Sequence, residues 1–311
     1  MEYCIENEKL RVRVSTKGAE LQSIRGADGT EYLWQGDERF WHSRATNIFP
    51  YVGRLTEDSY IWRGERHNMG RHGFARGMEF EAETVSDTRL TLTIRANDET
   101  RASYPFDFKF GLIYELSGDT LRVIYRVANR GGADMPFGLG GHPGFNVPLA
   151  PGLRFEDYRL EFAGPCEPRQ VLLSPKYYIS GEEAPYALEN NAIPLRHGLF
   201  DHDAVILRGT PGAVTLKTDK DAHGVELSYP DMNYIAFWHT PETEAPFVCI
   251  EPWLSLPSRQ DVVEDLEKQP DIRVLAPGEA YENCLRFRFF KAAPAGHGWS
   301  ASWASASCRT G

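Results

Sequence analysis

The chain has 311 residues, of which 44 are acidic and 34 basic, giving a net charge of −10. An acidic surface repels phosphate backbones and anionic lipid, so we expect no nucleic-acid or membrane partner. The N-terminus lacks the basic and apolar regions of a signal peptide, and no apolar run reaches the roughly 18 residues of a membrane-spanning helix, which predicts a cytoplasmic protein. Five scattered cysteines without C-x-x-C spacing indicate free thiols rather than disulfides or a zinc site.

Apolar and polar residues alternate with a period of two along much of the chain, which indicates half-buried β-strands. The pattern is clearest over residues 90–94, 121–127 and 225–229. The turn signal Ser117-Gly118-Asp119 predicts a hairpin between Asp107 and Val127. We therefore predict an all-β fold, a single large antiparallel β-sandwich, and because large sandwiches reach this size as one unit, one domain over residues 1–291.

Helical signal is thin. Residues 261–268 are predicted as a short capped surface helix, which Pro270 would stop. Residues 292–311 change to small, low-complexity sequence, and we expect them to be a disordered tail outside the domain. Deleting that tail should leave the melting temperature and any activity nearly unchanged.

Three polar segments interrupt the β-rich sequence and carry the candidate chemistry. They read RHGFAR at 71–76, GGHPGFN at 140–146 and CIEPW at 249–253. Together they supply the imidazoles of His72 and His142 and the carboxylate of Glu251. Proton transfer near neutral pH needs a group that titrates near 7 and a partner in the opposite protonation state, and His with Glu is a common way to build that pair.

In this order, and preceded by FPYVGR at 49–54, the segments resemble the aldose 1-epimerases (mutarotases), and most of all their small LacX-like branch. The resemblance implies a galactose mutarotase-like supersandwich that interconverts the anomers of a small-molecule aldose. It implies no cofactor and no metal. We expect a monomer or a weak homodimer.

The resemblance makes His142 the general acid on the sugar ring oxygen and Glu251 the base that takes the proton of the anomeric hydroxyl. The residues themselves fit these roles. His142 follows two glycines, whose small size lets a loop backbone pass close to a ligand. Glu251 ends an apolar strand, where Pro252 should stop the pairing and a carboxylate is costly without partners. A turn-capping histidine and an internal salt bridge are the structural alternatives.

The remaining candidates would bind the sugar. By the resemblance, His72 and Arg54 bind substrate, and an aspartate near Asp203 contacts sugar hydroxyls, with Asp201 as a competing candidate. Trp253, like Trp238, could form an aromatic platform for the sugar, although core packing would explain either residue equally well.

Several other functions compete with this one. A glycosidase needs two facing carboxylates, and the motifs supply only one. A metal-binding barrel is disfavoured because His67 and His72 would point to opposite faces of a strand. A non-catalytic carbohydrate-binding or sensing module could use the same fold. An epimerase for a phosphorylated sugar is a further alternative, since Arg71 and Arg76 with Arg54 could meet a phosphate, although the net acidity disfavours it.

Overall fold

A computed structural model of the protein describes residues 1–291. The predicted tail at 292–311 lies outside the described residues. Within them the chain forms short to medium strands, which in chain order are β1 (Glu2–Glu6), β2 (Leu10–Ser15), β3 (Leu21–Gly26), β4 (Ala45–Ile48), β5 (Ser59–Trp62), β6 (Glu65–Asn68), β7 (Glu81–Val85), β8 (Arg89–Arg95), β9 (Phe108–Ser117), β10 (Thr120–Asn129), β11 (Met135–Phe137), β12 (Gly140–Asn146), β13 (Arg159–Phe162), β14 (Arg169–Leu173), β15 (Ile179–Pro185), β16 (Ala192–Pro194), β17 (Val205–Arg208), β18 (Ala213–Lys217), β19 (Gly224–Ser228), β20 (Tyr234–Trp238), β21 (Phe247–Trp253), β22 (Arg273–Leu275) and β23 (Ala280–Phe290).

Two large antiparallel sheets organise these strands. A nine-stranded sheet has the order β16-β13-β18-β19-β23-β10-β9-β8-β7, and a seven-stranded sheet has the order β15-β14-β17-β20-β21-β12-β4. Smaller sheets of β1-β2-β3, β5-β6 and β11-β22 flank them. The all-β, antiparallel sandwich predicted from the period-two pattern is confirmed.

The main hydrophobic core lies between the two large sheets. Phe145 of β12 packs on Phe287 of β23 with ring centroids 6.0 Å apart, and the hydroxyl of Tyr125 in β10 donates to Oδ1 of Asn47 in β4 at 3.1 Å. Both contacts join one large sheet to the other. The opposite face of the seven-stranded sheet is therefore available for a site.

The predicted strand segments lie where the alternation placed them, in β8, β10 and β19. The predicted hairpin is also present, since β9 ends at Ser117 and β10 begins at Thr120, its cross-strand partner. Because the turn residues and the strand pairing favour the same structure in this hairpin, the sequence pattern was sufficient to predict it.

The predicted helix at 261–268 is wrong. The N–H of Ile61 donates to the carbonyl of Glu264, and the N–H of Leu266 donates back to Ile61, so these backbone groups pair with β5 instead of with each other. The α-helix that forms in the described chain is α1 (Asp98–Ser103), capped by Asn97, with four short 3-10 segments at Thr56–Asp58, Ala75–Gly77, Phe155–Asp157 and His197–Phe200. None of the helices in residues 1–291 is long and apolar enough to cross a membrane.

Candidate active site

His142 and Glu251 face each other across adjacent strands. In the pairing of β12 with β21, Gly140 is the partner of Trp253 and Gly144 is the partner of Cys249. This register puts His142, midway between the two glycines, opposite Glu251. Nε2 of His142 lies 3.3 Å from Oε2 of Glu251. Two ionisable groups that are far apart in the chain thus lie next to each other.

Alternation along β21 aims Glu251 away from the sandwich core. Val248 and Ile250 belong to the core between the sheets, whereas Cys249 packs in a separate cluster on the other face. Because side chains two residues apart share a face, Glu251 and Trp253 point with Cys249.

Two local expectations about these residues are wrong. His142 lies within β12 and not on a loop, and Pro252 does not end the pairing, since β21 continues to Trp253 with Pro252 opposite Ile235. Gly141, the residue before His142, is not there to give a ligand access, because its Cα faces the protein core. A Cβ on Gly141 would stand 2.9 Å from the Tyr125 hydroxyl, so the backbone there is pressed against the protein's own core.

A cavity of about 350 Å³ opens over this pair on the free face of the seven-stranded sheet. The six site residues predicted from the sequence all line it. They are Arg54, His72, His142, Asp203, Glu251 and Trp253. Other lining residues include Trp41, Trp238, Tyr177, Arg71 and Arg76. The volume is within the range of pockets that hold small ligands.

His142 is enclosed by rings. Trp41 stacks on its imidazole, with centroids 4.8 Å apart and planes at 28°. Trp238 and His72 each approach edge-on, with centroids at 5.6 Å. This burial disfavours the charged imidazolium, and with the positive charges of Arg71 and Arg76 it lowers the pKa of His142 to about 3.

Glu251 is 2% exposed, and burial raises the pKa of its carboxyl well above the ordinary value, with the negative charge of Asp203 acting in the same direction. Burial thus disfavours the charged form of both members of the pair. Among the described residues, Oε2 of Glu251 and Nδ1 of His142 are buried without a hydrogen-bond partner. Buried polar atoms without a partner are costly, so two of them at one cavity suit a polar ligand.

His72 is held in a tight turn beside the pair. It has a positive φ of 63°, and its N–H donates to the carbonyl of Gly53 at 2.8 Å. The N–H of Gly53 donates in return to Nδ1 of His72 at 3.2 Å. Burial lowers the pKa of His72, so the ring is neutral, and with Nδ1 accepting, the proton is on Nε2. Nε2 is then a hydrogen-bond donor for a ligand.

Asp203 and Arg54 complete the polar lining. Burial raises the pKa of Asp203, an effect that the charges of Arg54 and Arg71 partly offset. The guanidinium of Arg54 lies over the ring of Tyr177, 5.6 Å from its centroid. The competing candidate, Asp201, is not among the lining residues, and its Oδ1 accepts a hydrogen bond from the N–H of Glu242.

Among the described residues, one group could in principle hold a metal ion. Donor atoms of His142, Cys249 and Glu251 lie within 4.8 Å of one another. Cysteine binds metals as a thiolate, however, and burial raises the pKa of Cys249 well above its ordinary value. Burial likewise raises the pKa of Glu251, so a cation bound here would have to displace a proton from both groups.

Sequence reasoning missed three aromatic residues that line the cavity, Phe40, Trp41 and Tyr177. Trp41 touches the candidate acid, and Tyr177 covers Arg54, yet neither lies in a motif. The one signal was composition: Trp41 lies with Phe40 in a polar segment, 37–44, where large aromatic side chains are unusual.

The fold and the paired His142 and Glu251 define a galactose mutarotase-like sandwich with a small-ligand cavity on one sheet face. The chain belongs to the aldose 1-epimerase family, whose sequence model matches residues 1–288. The family resemblance carried by the motifs is thereby confirmed.

Individual relatives match this chain over most of its length. The plasmid-encoded protein LacX of Lactococcus lactis is 32% identical over 285 residues, which cover 88% of this chain and 94% of that protein. Among solved structures, the galactose mutarotase related enzyme from Lactobacillus acidophilus is 32% identical with a TM-score of 0.89, over 94% of this chain and 99% of the other. A galactose mutarotase-like protein from Lactobacillus casei is also 32% identical, with a TM-score of 0.87, over 93% and 100%.

Proposed function

We propose that this protein is an aldose 1-epimerase that interconverts the α and β anomers of a hexose by acid–base ring opening. The observation that carries the proposal is the 3.3 Å separation of His142 Nε2 and Glu251 Oε2 at the wall of the cavity. The two atoms that exchange protons in this reaction, the ring oxygen and the anomeric oxygen, are bonded to the same carbon. An acid and a base this close can reach both.

The reaction needs one proton removed and one supplied. Glu251 takes the proton of the anomeric hydroxyl while His142 protonates the ring oxygen, so that the bond between C1 and the ring oxygen breaks and the open aldehyde forms. Rotation about the C1–C2 bond and closure with the two roles reversed gives the other anomer. No cofactor is consumed, and each positioned group typically contributes about 10² to 10⁴ in rate.

The pair carries one proton throughout the proposed reaction. Before ring opening His142 holds this proton and Glu251 is a carboxylate, with Nε2 and Oε2 3.3 Å apart. In ring opening His142 gives its proton to the ring oxygen, and Glu251 receives the proton of the anomeric hydroxyl. Burial favours the neutral form of both groups, and so favours the protonation state that accompanies the open-chain sugar.

The other lining residues would hold the ring. The Nε2–H of His72 and the guanidinium fork of Arg54 are donors, and Asp203 is an acceptor for sugar hydroxyls. Trp253 and Trp238 offer apolar ring surface for the C–H groups of the sugar. Such orientation accounts for much of the rate gain in reactions that already proceed unaided.

A non-catalytic carbohydrate-binding protein is the second candidate, because the unpaired donors and acceptors of the cavity would also suit binding alone. Freshly dissolved α-glucose and α-galactose, followed by optical rotation with and without the protein, separate the two. Acceleration over buffer supports the epimerase. Binding by calorimetry without acceleration of either sugar would support a binding protein and overturn the epimerase.

A further inference from the structure

His239 is a buried polar side chain that the proposed reaction does not use. It is 0% exposed and is surrounded by the rings of Phe155, Phe200 and Phe247. It follows Trp238 at the end of β20 and is not among the residues that line the cavity. A buried imidazole loses its hydrogen bonds to water, a cost that a phenylalanine at this position would avoid. The side chain therefore has a role beyond packing.

Both ring nitrogens of His239 are hydrogen-bonded. Nδ1 lies 2.8 Å from the carbonyl oxygen of Thr240, and Nε2 lies 3.1 Å from Nδ1 of His197. Burial lowers the pKa of His239 to about 4, so the ring is neutral near pH 7 and carries one proton. A carbonyl oxygen can only accept, so that proton is on Nδ1, and Nε2 accepts from the Nδ1–H of His197. The two contacts thus make Nδ1 the donor in both rings.

His197 connects this pair of imidazoles to the surface. Its ring stacks on Phe155 with centroids 4.2 Å apart, and its Nε2 lies 3.9 Å from Oε1 of the exposed Glu156. These contacts fix the ring of His197 with Nδ1 directed at His239.

Thr240 links His239 to a second segment of the cavity wall. Its carbonyl oxygen accepts from His239 and also from the hydroxyl of Thr243, at 2.7 Å. Its own hydroxyl donates to the carbonyl of Phe40 at 2.9 Å, and Thr240 and Phe40 both line the cavity. Residues 37–42 lie outside any strand, in the connection between β3 and β4, so hydrogen bonds of this kind hold the segment in place.

Trp41 is the residue of this segment that contacts the candidate acid. Its ring stacks on His142 with centroids 4.8 Å apart, and its carbonyl accepts from Nε1 of Trp34 at 2.8 Å. The carbonyl of the preceding residue, Phe40, is the one that Thr240 holds. Hydrogen bonds to two successive carbonyls therefore set the position of the Trp41 indole.

We propose that His239 is a positioning residue that holds Trp41 against the imidazole of His142. The connection runs through Thr240 and Phe40. Without the Nδ1–H of His239, the Thr240 carbonyl loses one of its two donors, and the turn that anchors Phe40 is no longer fixed. Trp41 then covers His142 less well, which leaves the imidazole more exposed and less precisely oriented. The inference rests on the proposed function, because His142 affects turnover as the acid of ring opening.

His239→Phe tests this role, because it keeps an aromatic ring at the position and removes both hydrogen bonds. NMR titration should show the pKa of His142 rising from about 3 toward 6.5, by about one pH unit or more. With any aldose that the protein accelerates, kcat should fall by about 10- to 100-fold while KM changes by less than about threefold, because the acid loses its orientation and the sugar keeps its contacts. His67→Phe, in β6 outside the cavity, changes a ring that stacks on Tyr60 and should leave both measurements unchanged.

Two substitutions of equal size at His197 separate the hydrogen bond from packing. In His197→Asn the side-chain N–H takes the place of Nδ1–H and can donate to Nε2 of His239, whereas His197→Leu leaves that nitrogen without a donor. We expect His197→Leu to raise the pKa of His142 and lower kcat, as His239→Phe does, and His197→Asn to retain near-native values. Both variants lose the ring that stacks on Phe155, so a difference between them reports on the hydrogen bond.

The outcomes separate this role from the activity itself. An unchanged pKa of His142 and an unchanged kcat in folded His239→Phe overturn the positioning role and leave the epimerase intact, and so do equal values for His197→Asn and His197→Leu. If His239→Phe does not fold, the two His197 variants decide. If no aldose is accelerated, the epimerase fails, and the pKa of His142 alone decides. A rise in His239→Phe and His197→Leu, but not in His197→Asn, then supports the positioning role, and no rise overturns it.

Discussion

Trp41 stacks on the imidazole of His142 at a centroid distance of 4.8 Å and shields one face of the ring from water. Removing the indole in Trp41→Ala exposes that face, so we expect the pKa of His142 to rise from about 3 toward its ordinary value of 6.5. Titration of the His142 ring protons by NMR measures this shift. Trp41→Phe keeps an aromatic ring at the position and should retain most of the depressed pKa. An unchanged pKa in Trp41→Ala would show that other groups control His142.

The turn that holds His72 depends on Gly73. Gly73 has a φ of +70°, and a Cβ there would stand 2.2 Å from the carbonyl oxygen of Phe49, which is rigid backbone. Gly73→Ala should therefore lower the free energy of unfolding by at least about 2 kcal/mol, as measured by denaturant melts. Gly70→Ala, in the same segment with open space around the added methyl group, is the control and should be nearly neutral. Equal effects of the two substitutions would contradict the steric account.

Much of the site could be predicted because short motifs carry it. His72, His142 and Glu251 each lie in a compact polar segment, and the sheet register brings those segments together. The register itself was not predictable from local sequence, since strands distant in the chain are paired by packing between the sheets. Trp41 was missed for the same reason: its contact with His142 is long-range, and no local pattern marks it.

The two errors in the predicted secondary structure have different causes. Residues 261–268 have acidic and apolar spacing that suits a helix, but Glu264 and Leu266 pair with Ile61 in β5, and a turn follows in which the Asp265 carbonyl accepts from the N–H of Lys268. Helix α1 was missed although its signal is local, since Asn97 and Thr100 form a capping box. Tertiary pairing overrode propensity in the first case, and a short capping signal was overlooked in the second.

His223 links two segments that are distant in the chain, through contacts with Asp28 and Asp221, and these contacts make the stability of the protein depend on pH. Its Nε2 lies 2.9 Å from Oδ2 of Asp28, and its Nδ1 lies 2.6 Å from Oδ2 of Asp221. Burial alone would lower the pKa of His223, but the two carboxylates outweigh it and the pKa is raised. The hydrogen bond with His223 is the main reason that the pKa of Asp28 is lowered.

These shifts fix the direction of the effect. The raised pKa of His223 contributes stability that is fully present below about 6.5 and is lost as the pH rises through the folded-state pKa, while the Asp28 contribution is present above about 3.9 and is lost in acid. His223→Ala should cost about 1 to 2 kcal/mol at pH 6 and less at pH 9, measured by denaturant melts. His202→Asn, an exposed histidine, should change stability by less than about 0.5 kcal/mol at either pH. A larger loss of unfolding free energy in His223→Ala at pH 9 than at pH 6 would contradict this role of His223.

Turnover should not depend on a metal ion. Proton transfer by His142 and Glu251 needs no metal, and burial raises the pKa of both Cys249 and Glu251, so a cation on the group of His142, Cys249 and Glu251 would have to displace two protons. Dialysis against EDTA should leave the rate of anomer exchange unchanged within error. A rate that falls on chelation and returns on adding Zn²⁺ would show that this group binds a functional metal.

The central claim is that Glu251 and His142 transfer the protons of ring opening, and Glu251→Gln tests it most directly. The amide keeps the size and shape of the carboxyl side chain and removes only its ability to take a proton, so the fold and the sugar affinity should be retained. Asp201→Asn makes the same chemical change outside the cavity and serves as the control. With a substrate that the wild-type protein accelerates, we predict that Glu251→Gln lowers turnover by about 10² to 10⁴ while Asp201→Asn leaves it unchanged. Near-native turnover of Glu251→Gln would contradict the account.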